Sequence, residues 1–89
     1  MELIKIIAAK HIQDYTLQLT FSNQLEQKVD LKEKLFNDHR DIFKELQDIH
    51  KFKEIYLDGW TVCWKNGADL APEFLYELAV QQNTKTTIS

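Results

Sequence analysis

One cysteine, one proline and two glycines in 89 residues exclude several classes of protein at once. A lone thiol makes no internal disulfide, so the fold does not rest on a disulfide framework and a cytoplasmic chain is expected. The shortage of glycine and proline rules out collagen-like and low-complexity chains. No apolar run approaches the roughly 18 residues of a membrane span. The richest run, over residues 3–9, is short, and no small-residue cleavage site follows it, so no signal peptide is expected either. An excess of positive charge is also missing. Eleven basic against fourteen acidic side chains give a net charge of −3, and over residues 30–58 eight acidic and six basic side chains are interleaved. A nucleic-acid module usually carries a basic patch or stripe. Direct nucleic-acid binding is therefore not expected; another protein is the expected partner, and no membrane is.

What is present suffices for one core, since hydrophobic residues make up 44% of the chain. A single domain over residues 1–80 is expected, with 81–89 as a polar, disordered tail. Leu3, Ile4, Ile6, Ile7 and Ala8 read as a strand covered on most of both faces, and residues 11–14 as a turn. Tyr15, Leu17, Leu19 and Phe21 alternate with polar residues, as do Leu25, Gln27, Val29 and Leu31 with charged ones, so two half-buried strands follow. A three-residue loop over 22–24 pairs Phe21 with Leu25 and Leu17 with Val29; a two-residue loop would set the apolar faces in disagreement. Such a loop closes on a left-handed residue, which puts Gln24 under modest strain.

Residues 32–38 form a polar link with one helical turn. Ile42, Phe43, Leu46, Ile49 and Phe52 carry the spacing of a helix with one apolar stripe, capped by Asn37 or Asp38. Its far end, around residues 48–50, is open to a second short turn. Asp58-Gly59 between β-prone runs predicts a two-residue type I′ hairpin, with Leu57 opposite Trp60 and Ile55 opposite Val62. Ile55, Leu57, Val62 and at least one tryptophan then face the core. Pro72 opens a final helix, with Glu73 at its positive end and Phe74, Leu75, Leu78 and Ala79 as its stripe. The order β-β-β-α-β-β-α gives a two-layer α+β domain, an antiparallel sheet of about five strands with helices on one face.

No catalytic constellation emerges. His39-Arg40-Asp41 matches a kinase catalytic-loop tripeptide, but the chain lacks a glycine-rich loop and is several-fold too short. His11, His39, His50 and Cys63 show no ligand spacing, so neither a metal nor a cofactor is expected. Cys63 sits within a strand and reads as a packing residue. Asp69 and Glu73 fit capping and dipole compensation at the last helix start; the functional alternative groups them with Tyr76 as a small-molecule or enzymatic site. Tyr56 and Trp60 are either core residues or interface anchors.

The run Trp64-Lys65-Asn66-Gly67-Ala68-Asp69-Leu70-Ala71-Pro72-Glu73-Phe74-Leu75-Tyr76 resembles the signature of a widespread bacterial family of unknown function, the one numbered 2442. The resemblance extends over roughly residues 3–77, and one position departs: Gln24 stands where the family usually has glycine. It implies a small α+β domain without established activity. Some relatives are fused to a helix-turn-helix segment and many are encoded beside another small protein, which implies a regulatory or toxin–antitoxin-like role, or a mobile-element context. The expected function is a non-catalytic protein-interaction or regulatory module. Its expected surface is Tyr56, Trp60, Trp64, Asn66, Asp69, Glu73 and Tyr76.

Overall fold

The alternation of Leu17, Leu19 and Phe21 with Thr16, Gln18 and Thr20 builds the first layer: the three apolar side chains are fully buried, and the polar ones turn outward. The computed structural model describes residues 3–88, with side chains described as far as residue 82. Strands β1 (Ile6–Gln13), β2 (Thr16–Phe21) and β3 (Glu26–Asp30) form an antiparallel sheet in that order. Helices α1 (Lys32–Asn37) and α2 (Asp41–Lys44), a 3-10 turn (Glu45–Gln47) and α3 (Ile49–Phe52) follow, then β4 (Ile55–Leu57), β5 (Val62–Trp64) and the long α4 (Pro72–Ile88). Leu35, Phe43, Leu46, Phe52, Leu75 and Ala79 from the helices join the β2 side chains in one core.

The chain is thus α+β, as expected. The five strands divide into a sheet of three and a separate ribbon of two, β4–β5, rather than one sheet. The ribbon meets the sheet through the Ile6 amide, which donates to the Trp60 carbonyl at 3.0 Å.

The β2–β3 register follows the apolar pattern, with Leu17 opposite Val29. Phe21 and Leu25 close the loop, the Phe21 amide donating to the Leu25 carbonyl at 2.8 Å. Gln24 ends that loop at φ 74°, in the left-handed region where a side chain is strained.

Elsewhere local side chains override the pattern. β1 runs on to Gln13 and turns at Asp14-Tyr15, where Asp14 takes φ 44° and its carbonyl meets His11 Nε2 at 2.9 Å. Only Ile6 of its apolar run is fully buried; Leu3, Ile7 and Ala8 are exposed, so β1 is not covered on both faces. The helix expected from Ile42 ends early, and the second short turn left open around residues 48–50 is present as α3. The Tyr15 hydroxyl bonds the Gln47 carbonyl, and the Asp48 carboxylate accepts the His50 amide at 2.9 Å, capping α3 as a new start. Neither Asn37 nor Asp38 caps the start of α2: Asn37 is the last residue of α1, Asp38 follows as its C-cap, and the residue before α2 is Arg40.

The last hairpin is also corrected. Leu57 pairs with Val62, so the loop has four residues, not two. Asp58 causes this: its Oδ1 accepts the amides of Trp60 and Thr61 at 2.8 and 2.9 Å. Those two bonds hold its carboxyl below the usual range. The slip is by two residues, so face parity survives, but Leu57 ends up exposed rather than in the core. Finally, the segment expected as a tail continues as helix to Ile88; Ser89 lies outside the described residues.

Gln24→Gly is expected to stabilise the domain by up to about 1 kcal/mol, because relief of the left-handed strain outweighs the added chain entropy. Urea unfolding checks this: the midpoint should rise with an unchanged slope.

Candidate functional site

The segment from Trp64 to Tyr76 folds as a clamp around the β5 end. Gly67 adopts φ 95°, which a side chain would disfavour, and its amide donates to the Trp64 carbonyl at 3.1 Å. Trp64 in turn donates its amide to the Ala68 carbonyl at 2.9 Å. Asn66 holds the turn from both sides. Its Oδ1 accepts the Ala68 amide at 3.0 Å, and its Nδ2 donates to the Ile42 carbonyl and to Glu45 Oε1, each at 2.8 Å. The Thr61 hydroxyl donates to the Leu70 carbonyl at 2.5 Å. Pro72 is buried at the first position of α4, where it needs no N–H donor.

These bonds separate the expected surface residues into two groups. Trp64 is 1% exposed and belongs to the core, so it is corrected from a surface residue to a structural one. Its indole N–H donates to the Phe52 carbonyl at 2.7 Å. Asn66 is exposed but committed to α2 and the following turn. Tyr76 is half-buried, packs edge-on against Phe21 at 5.2 Å between centroids, and accepts from Asn23 Nδ2 at 3.2 Å. Asp69 and Glu73 are exposed. The depressions lined by Trp64, Asn66 and Glu45, by Phe74 and Gln82, by Trp60 and Lys5, and by Glu26 and Lys28 do not include Asp69, Glu73 or Tyr76.

Tyr56 and Trp60 remain as open aromatic groups, 50% and 38% exposed, with Leu57 between them at 37%. Trp60 is placed by its backbone, which bonds Asp58 on one side and Ile6 on the other. The Lys5 ammonium lies 5.8 Å from its ring centroid. Leu3, Ile4, Lys5, Ser22, Asn23 and Trp60 line a depression of about 350 Å³ beside it. Exposed Leu3 and Ile7 extend the apolar surface along β1, which runs beside β4. Leu3, Ile7 and Leu57 were missed by the sequence reading, because an unbroken apolar run looks buried whichever face is covered.

The groups with reactive side chains are otherwise occupied. Burial pushes the Cys63 thiol up to about 11, so it stays protonated at neutral pH. Arg40 binds Asp38 through Nε at 3.0 Å and Nη2 at 2.8 Å, and Lys34 adds a third contact at 2.7 Å. Together, Arg40 foremost, they hold the Asp38 carboxyl well below the usual range. His39-Arg40-Asp41 is thus a charged approach to α2. Among the described residues, no group of three or more His, Cys, Asp or Glu side chains is placed to hold a metal ion. No described helix is long and apolar enough to cross a membrane.

A small α+β domain with a clamped signature turn and an open aromatic hairpin is the class these features define. The chain belongs to the family described as protein of unknown function (DUF2442), whose model matches residues 6–81. No curated protein matches it in sequence. Among solved structures it is similar to a proposed DNA-binding protein of Nitrosomonas europaea, with 20% identity and a TM-score of 0.77. The match covers 92% of this chain and 52% of that one, so this chain spans about half the length of its structural neighbour.

At this identity the likeness establishes the fold. It also corrects the expectation that nucleic-acid binding is disfavoured. That expectation rested on the net charge of −3 and on interleaved charges without a basic stripe. The finding that overturns it is the name of the structural neighbour, of which the matched fold forms about half.

Asn66→Ala is expected to cost about 1–2 kcal/mol, the worth of partly solvated hydrogen bonds to a buried frame. Asn66→Asp, which loses both donors and faces Glu45, should cost more. Urea unfolding of both variants checks the order.

Proposed function

We propose that the domain is a non-catalytic protein-interaction module of a regulatory protein, and that Tyr56, Leu57 and Trp60 form the centre of its contact surface. The carrying observation is the exposure of three large apolar side chains on a hairpin whose loop is fixed by Asp58. A fixed loop has little ordering entropy left to lose on binding. Aromatic side chains so held are the residue types that dominate interface energetics. The commitment of Asn66 and Tyr76 to internal bonds, and the protonated Cys63, support a non-catalytic reading. Against the alternative of a small-molecule or enzymatic site at Asp69, Glu73 and Tyr76 stands the packing of Tyr76 on Phe21 and its bond to Asn23.

A second reading, association with DNA, is favoured by the likeness to the Nitrosomonas europaea protein. On this reading the ring of Trp60 with the Lys5 ammonium beside it is the natural contact, since aromatic and cationic groups serve nucleic acids together.

One experiment separates the readings. The tagged chain and its Tyr56→Ala/Trp60→Ala variant are used to capture partners from the native organism, and both are titrated with labelled duplex and single-stranded DNA at low and raised salt. The interaction module predicts a stoichiometric protein partner lost in the variant, because truncating an aromatic anchor costs roughly 2 kcal/mol or more. The DNA reading predicts instead a binding curve whose affinity falls steeply with salt. A variant that keeps its protein partner at full strength contradicts the assigned surface.

A further inference from the structure

β3 is an edge strand, and its free edge has a definite hydrogen-bonding frame. Leu25 accepts from the Phe21 amide and Leu31 donates to the Tyr15 carbonyl, so odd-numbered positions bond toward β2. In an antiparallel ladder the alternate positions turn their N–H and C=O groups the other way. Glu26, Lys28 and Asp30 therefore face outward from the sheet. Asp30 is already served. Gln82 of α4 accepts its amide and donates to its carbonyl, both at 3.0 Å, as a neighbouring strand would. Glu26 and Lys28 are left as the two positions at which another strand can bond. Both side chains are exposed, and a shallow depression lined by Gln18, Glu26, Gln27 and Lys28 lies against them.

Charged residues usually blunt an edge. Here their order makes the edge match itself. A second copy added antiparallel can be centred on Glu26, Gln27 or Lys28. Centring on Lys28 sets lysine against lysine and Glu26 against Asp30, and runs each strand into Gln82. Centring on Glu26 sets glutamate against glutamate. Centring on Gln27 sets Glu26 of each copy opposite Lys28 of the other, uses both free positions in both copies, and leaves Gln82 in place. Opposite charges directly across a strand pair stabilise it, and like charges destabilise it.

We infer that this chain self-associates through β3, antiparallel about Gln27, with Glu26 and Lys28 as reciprocal pairs and Gln82 fixing the length of the seam. The surface is separate from the Tyr56–Trp60 hairpin.

In that register two copies of Gln27 form a non-hydrogen-bonded pair, with Cα atoms about 4.5 Å apart, within disulfide range. Gln27→Cys in a Cys63→Ala background should therefore cross-link on mild oxidation. Lys28→Cys in the same background should not, because the two thiols are then offset along the strands. Sedimentation equilibrium of the full chain should show a concentration-dependent dimer. Lys28→Glu should weaken it about tenfold or more, and the swap Glu26→Lys/Lys28→Glu should restore it. Circular dichroism establishes that each variant folds. The proposal is overturned if the parent chain stays monomeric at its highest soluble concentration, if the swap fails to restore a dimer that Lys28→Glu weakens, or if Lys28→Cys cross-links as readily as Gln27→Cys.

Discussion

The indole N–H of Trp64 donates to the carbonyl of Phe52 inside the core, and the second half of the chain is arranged around that bond. Phe52 ends α3 and packs its ring beside the indole, 5.8 Å between centroids. Tyr15 and His11 pack edge-on against the same ring, at 5.3 and 5.9 Å. One buried contact therefore ties the ribbon, the short helices and the first sheet together. A buried indole without a partner would carry a large desolvation cost, so the position of Phe52 is dictated by Trp64 as much as by its own burial.

The signature turn extends this constraint. Trp64 fixes the end of β5, Asn66 and Gly67 reverse the chain, and Pro72 starts α4 in the one place where Leu75 and Ala79 reach the core. Most of the specificity of Trp64 to Glu73 is thereby architectural. A domain whose most distinctive motif is spent on structure presents its contacts elsewhere, and the exposed hairpin at Tyr56 to Trp60 is where large apolar groups remain unpaid by burial.

Legibility in the sequence followed the range of the deciding interaction. The β2–β3 register and the strain at Gln24 were readable because period-two burial fixes both. The start of α4 was readable because proline fixes its own backbone angle. The four-residue hairpin loop was not, since Asp58 competes with the type I′ turn by bonding two amides within its own loop. The second turn at residues 48–50 was readable as an open alternative because Asp48 caps α3 locally, whereas the bond from Tyr15 to Gln47, far apart in sequence, was not. Of the expected surface, Tyr56 and Trp60 are open to solvent, Asp69 and Glu73 are exposed, and Asn66 and Tyr76 hold internal bonds. Trp64 was misplaced because spacing cannot tell which of two tryptophans on one hairpin meets the core.

The most direct test of this account is the unfolding free energy of Trp64→Phe. The substitution keeps an aromatic ring but leaves the Phe52 carbonyl without its donor. The account predicts a loss of about 2–3 kcal/mol, combining an unsatisfied buried acceptor with a small cavity. A midpoint indistinguishable from that of the parent chain would contradict it.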